Sequence, residues 1–111
     1  MTESEFLVLA DAALSAIEAA LEQASDDTDL DVECRRSGNV LEIECVGNGS
    51  KIIVNSQAPM QELWLAAKSG GFHYQYNGRL WISARDGSEL YATLSAAVTA
   101  QAGVAVTLRA P

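Results

Sequence analysis

Between Phe6 and Ala24 the apolar positions Phe6, Leu9, Ala13, Ile17, Ala20, Leu21 and Ala24 recur mostly every three or four residues, the period of one helix face. Thr2 followed by Glu5 has the form of a capping box, which satisfies two free N–H groups at a helix start. The spacing predicts a helix from Glu3 to Gln23, then a turn over Ser25-Asp26-Asp27-Thr28. From Asp29 the period drops to two. Asp29 to Arg35 alternates charged and apolar residues, a half-buried strand with Leu30, Val32 and Cys34 inward. After a Ser37-Gly38-Asn39 turn, Val40 to Val46 alternates again with Glu42 and Glu44 on the open side, and Gly47-Asn48-Gly49 turns the chain once more.

The stretch Ile52 to Tyr74 holds three short apolar runs, divided by Pro59 and by Gly70-Gly71, and reads as three strands joined by tight connections. Alternation sets Leu63 and Leu65 against Glu62, Trp64 and Ala66, placing Trp64 on the solvent side. It likewise turns Phe72, Tyr74 and Tyr76 inward and His73 and Gln75 outward. Asn77-Gly78 predicts a tight hairpin to a last strand in which Leu80, Ile82 and Ala84 oppose Arg79, Trp81 and Ser83. Asp86 with Glu89 suggests a second capping box, and Leu90, Leu94, Ala97, Val98 and Gln101 a second amphipathic helix ending at Gly103. The tail Val104 to Leu108 is too apolar for water and is expected between the helices. Helix, about six antiparallel strands, helix: this is an α+β two-layer sandwich, both terminal helices on one face of the sheet, in a single domain spanning residues 1–111.

Charge changes this picture more than composition does. Residues 1 to 50 carry 12 of the 15 acids against Arg35 and Arg36, a net of −10, whereas residues 51 to 111 carry five bases and three acids, a net of +2. A lopsided field of this kind steers cations or basic partners, and an overall −8 argues against nucleic acid. No window of about 18 apolar residues is present, and the acidic start Met1 to Glu5 lacks the basic opening of a secretory or transit signal, so a cytoplasmic protein is expected. Cys34 and Cys45 lie outside any Cys-x-x-Cys spacing and read as buried, reduced thiols.

The acids converge on one part of the chain: Asp11, Glu18 and Glu22 on the helix, Asp26, Asp27 and Asp29 in the turn, Asp31 and Glu33 on the first strand. Oxygen-only donors suit hard cations, held weakly and without strict geometry, and the alternative is a solvated acidic face. An EF-hand is excluded, since the acidic run from Asp26 lacks the glycine and the terminal Glu that such a loop needs. Carboxylates on an open strand offer no pocket for acid–base catalysis, and no phosphate loop, Ser/His/Asp arrangement or His cluster is present, so no enzyme is expected. His73 is the only histidine, a surface residue or a contributor to an interface. Trp64 and Trp81 are either rim residues of the core or exposed aromatic anchors.

Several segments resemble one family. Asn55-Ser56-Gln57-Ala58-Pro59 leading to Trp64-Leu65-Ala66, then Gly70-Gly71-Phe72-His73-Tyr74, resembles the sheet signature of the frataxins, specifically their bacterial branch. Ser4-Glu5-Phe6 with Leu9-Ala10-Asp11, and Asn48 to Ile53, resemble that branch's first helix and third strand. The resemblance implies weak binding of ferrous or ferric iron and a part in iron-sulfur cluster assembly. By position it implies an iron-binding ridge of Asp11, Glu18, Glu22, Asp27, Asp29, Asp31 and Glu33, which also meets a basic groove on the cysteine desulfurase, with Glu18 and Glu22 in that contact. Trp64, with Asn55, Gln57 and the neighbouring His73, matches a sheet surface that meets the desulfurase and the scaffold protein. Ala19, Gln23 and Ser25 stand where relatives often carry acids, and Glu62 where the family usually has glutamine. The expected function is a non-catalytic, iron-responsive regulator, monomeric unless iron drives oligomers. The alternatives are an iron chaperone or ferroxidase, and an acidic interaction domain with no role for metal.

Overall fold

The computed structural model describes all 111 residues. Helix α1 spans Glu3–Asp27, strands β1 to β6 span Val32–Ser37, Val40–Cys45, Ser50–Gln57, Glu62–Ala67, Gly70–Tyr76 and Trp81–Ile82, and helix α2 spans Leu90–Ala102. The six strands form one antiparallel meander in sequence order. Both helices lie on the same face, where Phe6, Leu14, Ile17 and Leu21 of α1 and Leu90, Leu94 and Val98 of α2 bury against Leu41, Ile43, Ile52, Val54, Leu63, Leu65 and Tyr74. The expected α+β sandwich is the architecture found, and each of these large side chains contributes roughly 1.5–3 kcal/mol by leaving water.

Local chemistry explains most of the boundaries. The capping box at Thr2 forms, the Glu5 amide donating to Thr2 Oγ1 (3.1 Å) and the Thr2 amide to Glu5 Oε1 (2.9 Å). The helix does not stop at Gln23, however. It takes in Ser25, Asp26 and Asp27, because Gln23 Nε2 bonds Asp27 Oδ2 (3.0 Å) one turn on and Thr28 closes the end through its N–H and hydroxyl to the Ala24 carbonyl. The expected turn there is therefore helix, and β1 begins at Val32 instead of Asp29, although Leu30 is buried as alternation required. Gly38, at φ +58°, supplies the left-handed residue that lets Ser37 pair with Val40 across a two-residue turn.

Two further expectations shift. Tyr76 pairs with Trp81, so the loop is the four residues 77–80, with Asn77 Oδ1 accepting the Arg79 and Leu80 amides; the Asn-Gly pair does not make a two-residue hairpin. Helix α2 is capped by Glu89, whose carboxylate accepts from the Tyr91 and Ala92 amides, while Asp86 bonds Ser88 in the loop before it. Trp81 is buried, edge-on to Phe6 with centroids 6.1 Å apart, and is a core residue. The tail runs along α2, where Ser95 and Thr99 hydroxyls bond the backbone of Leu108 and Val106, and Ala110 and Pro111 share a cavity with Leu9, Ala12 and Ala13 of α1. Gln101, buried, fastens α2 to the turn after β4 through the Lys68 amide (2.9 Å) and to the start of β3 through Ser50 Oγ (3.2 Å).

Candidate functional site

Two surfaces stand out, and the sandwich keeps them apart. The first is the edge where α1 runs beside β1. Alternation turns Val32, Cys34 and Arg36 of β1 towards the helix layer, and the helix presents Asp11, Ser15, Glu18 and Glu22 in one stripe above them. Arg36 donates to Asp11 Oδ1 (2.6 Å) and weakly to Ser15 Oγ (3.4 Å), clamping the stripe's N-terminal end to the strand. Further along, burial and then the charges of Glu18 and Glu22 push the Cys34 thiol up to about 11 from an ordinary 9.0. Glu22, Ser25, Asp26, Val32 and Cys34 together line an open hollow of about 390 Å³. The carboxylates of Glu22 and Asp26 stand in exposed residues at its rim.

The seven acids proposed by resemblance do not form one cluster. Asp11, Glu18 and Glu22 share the helix stripe; Asp27 is bonded to Gln23 at the helix end; Asp29 is exposed in the connection. Glu33 belongs to the opposite face of the sheet, since it alternates with Val32 and Cys34. There it pairs with Arg35 (2.9 Å), which also bonds Glu44 (2.9 Å) and approaches Glu42 (3.4 Å), and this guanidinium holds the Glu44 carboxyl below the usual carboxylate range. No three acid, His or Cys side chains come close enough to hold one ion between them. What these residues offer is a spread of separate carboxylates, not a ligand cage.

The second surface is the open face of β3, β4 and β5. Register lines up Asn55, Trp64 and His73 in one row and Gln57, Glu62 and Gln75 in the next. Trp64 and His73, directly opposite each other, stack with ring centroids 4.2 Å apart and planes 4° from parallel. Beneath them lies Glu62, its side chain only 11% exposed. Glu62 Oε1 accepts the indole N–H of Trp64 (2.9 Å) and lies 3.6 Å from His73 Nδ1, and Oε2 accepts from Gln75 Nε2 (3.1 Å). Gln57 Nε2 bonds Asn55 Oδ1 (2.7 Å), completing a patch of mutually fixed side chains. Trp64 is thus on the open face as expected, half-buried by its neighbours.

Sequence reasoning missed Glu62 as the organiser of this patch. The signal was available: Glu62 and Trp64 are two apart on one strand, so they share a face, and a carboxylate beside an indole N–H is a donor–acceptor pair. Arg36 was missed for a different reason, since its partner Asp11 is 25 residues distant and only the docking of α1 on β1 joins them.

Comparisons with other proteins agree with the fold. Residues 1–104 match the model of the Frataxin-like domain family. The chain is 66% identical over 109 residues to the iron-sulfur cluster assembly protein CyaY of Janthinobacterium sp. (strain Marseille), covering 98% of this chain and 97% of that one. It is 64% identical, with the same coverage, to the protein of that name from Herminiimonas arsenicoxydans. Among solved structures it is similar to frataxin from Psychromonas ingrahamii, with a TM-score of 0.87 at 36% identity over 99% of this chain and all of the other. Yeast frataxin shares the fold, with a TM-score of 0.68 at 21% identity over 91% of this chain and 86% of that one. No helix is long and apolar enough to cross a membrane.

Proposed function

This chain belongs to the frataxin-like family, and from that membership we propose that it is a non-catalytic cytoplasmic protein of iron-sulfur cluster assembly, a regulator that docks on the cysteine desulfurase and its scaffold. Relatives at 66% and 64% identity carry the name iron-sulfur cluster assembly protein, which supports the process. The finer reading is carried by one observation: the carboxylate stripe of α1, exposed at Asp11 and Glu22 and half-buried at Glu18, and the preformed Trp64–His73 stack lie on one small molecule, on separate faces. The stripe, with Glu18 and Glu22 in its C-terminal half, supplies a negative field for a basic groove. The stack, with Asn55 and Gln57 beside it, supplies a rigid aromatic anchor for a shape-complementary contact.

Iron enters this reading as an effector. Asp11, Glu18, Glu22, Asp27, Asp29, Asp31 and Glu33 would hold ferrous or ferric iron loosely, as exposed oxygen donors do, and an ion held there would neutralise the charge that attracts the desulfurase. Iron and partner would then compete for those of these acids that lie on the α1 stripe, Asp11, Glu18 and Glu22, slowing or releasing assembly as iron varies.

An amide NMR titration tests it, adding ferrous iron anaerobically and, separately, the desulfurase. The expected result is broadening or shifts over residues 11 to 33 with both additions, and further shifts around Trp64 with the desulfurase–scaffold complex. If iron perturbs nothing between Asp11 and Glu33 while the desulfurase still does, the effector role of iron is wrong. If Glu18→Lys, Glu22→Lys and Asp31→Lys together leave desulfurase binding unchanged, the docking role of the stripe is wrong.

A further inference from the structure

The two edges of the sheet are treated differently. On the β1 edge the chain is guarded by charge, with Arg35 and Arg36 on the strand and Arg36 clamped to the helix through Asp11. On the other side, β6 pairs with β5 only through Gln75 with Ile82 and Tyr76 with Trp81. Ile82 then bridges Glu89, and residues 83–88 curl into a turn closed by the Ser83 amide on the Ser88 carbonyl (2.8 Å) and the Gly87 amide on the Ser83 carbonyl (2.9 Å). The segment Gly70 to Tyr74 is therefore paired on one side only, to β4. It contains none of the Lys or Pro residues that commonly blunt an edge strand, and Gly70 and Gly71 leave the backbone uncovered.

Space is open on both flanks of this edge. On the open-face side a hollow of about 570 Å³ lies between Gly71, Phe72 and His73 of β5 and the Ser83 to Asp86 turn. On the helix side a groove of about 520 Å³ is lined by Phe72 and by Ala92, Thr93, Ala96 and Ala100 of α2. Thr93 also stands near the Tyr74 hydroxyl, which is buried with no hydrogen-bond partner. A strand laid along β5 would send alternate side chains into these two spaces, because successive residues of a strand point to opposite faces.

We propose that the outer edge of β5, from Gly70 to Tyr74, is a docking site for an extended segment of a partner polypeptide, which adds to the sheet as a further strand. The occupant follows from the unpaired main chain: a row of free amide and carbonyl groups is matched along its length only by another extended chain. Its side chains on the helix side are small and aliphatic, to fit a groove walled by alanines, and those on the other side are polar, to meet His73, Arg85 and Asp86. A second copy of this chain is disfavoured, since two molecules of net charge −8 repel. The site goes beyond the acidic stripe and does not depend on it, sharing Glu62 and His73 with the aromatic face.

The test uses the whole chain and a capped heptapeptide of alternating threonine and valine, compared with the same peptide N-methylated at every amide. Expected are amide shifts confined to residues 70–74 and 92–100, slowed hydrogen exchange at 70–74, and a loss of about tenfold or more in affinity on N-methylation, one or two net hydrogen bonds. Ala96→Lys, at an exposed position of α2, fills the groove and weakens the intact peptide while leaving Tm unchanged. Equal binding of the methylated peptide would overturn the proposal in favour of a side-chain groove, and absence of shifts at 70–74 up to millimolar peptide would overturn it outright. Concentration-dependent dimers with residues 70–74 protected in the absence of peptide would assign the edge to a second copy and overturn it as well.

Discussion

The α1–β1 edge and the Trp64 face are both polar surfaces, yet they are built on opposite plans. Along the edge, Glu18, Glu22, Asp26, Asp29 and Asp31 have no salt-bridge partner, and Asp11 is the one stripe carboxylate held by an arginine. On the sheet, Trp64, His73, Gln75 and Glu62 fix one another by stacking and by hydrogen bonds of 2.9 and 3.1 Å. An unpaired charge acts at a distance and is weakened by salt, whereas an ordered aromatic acts only at contact but loses little freedom on binding. The edge should therefore govern how fast a partner arrives, and the sheet face how long it stays.

The comparison breaks most visibly at Trp64. Trp64→Ala should weaken binding to the desulfurase–scaffold complex by roughly 2 kcal/mol or more, a factor of about 30, mostly through faster dissociation. Its Tm should hardly move, because Trp64 lies outside the core, whereas Trp81→Ala removes a buried ring and should cost about 3–5 kcal/mol of stability. Calorimetry beside binding kinetics checks both; a Trp64 variant that lost stability as Trp81→Ala does would mean that its ring is structural. Next in size, the Glu18→Lys, Glu22→Lys, Asp31→Lys variant should slow association by about tenfold at low salt and by much less at high salt. A salt-independent loss, or one confined to dissociation, would place these residues inside a tight contact instead of a steering field.

Glu62 sharpens the contrast within the sheet face. Glu62→Gln keeps an oxygen for the Trp64 N–H and should change binding by less than about 1 kcal/mol, whereas Glu62→Leu strands the donors of Trp64 and Gln75 and should cost about 1–3 kcal/mol. Indole fluorescence separates the two, the Leu variant alone losing the fixed Trp64 environment. Glu62 also marks how far a sequence can be read. The faces of β1 to β5 followed from alternation, because period-two patterning is imposed locally by burial: Leu63 and Leu65 went in, Trp64 and His73 out, whereas in the two-residue β6 it is Trp81, with Ser83 after it, that is buried and Ala84 that is exposed. Ends were less readable, since the cap of α1 at Thr28 and that of α2 at Glu89 depend on which of several polar side chains reaches the backbone first. Least readable was the gathering of acids, because a strand that alternates divides its own charges: Glu33 shares a face with Glu42 and Glu44, not with Glu18.

The smallest expected effect reads the field of the edge with no partner present. Cys34 faces α1 beneath Glu18 and Glu22, and burial together with those charges raises its thiol to about 11. A raised thiol pKa favours the neutral form in the folded state, so its contribution to stability is complete below the ordinary value of 9.0 and is lost as pH rises towards about 11. Alkylation of the native protein by iodoacetamide should accordingly stay slow through pH 9 and rise only as the thiolate forms; Cys45, buried at 1% exposure, should not compete. Glu18→Gln with Glu22→Gln should move that rise to lower pH without abolishing it, because burial, the larger cause, is untouched. An unchanged profile would mean that solvent screens the two glutamates before their field reaches β1, and a stripe that cannot act on a thiol of the adjoining strand could not steer a partner from farther away.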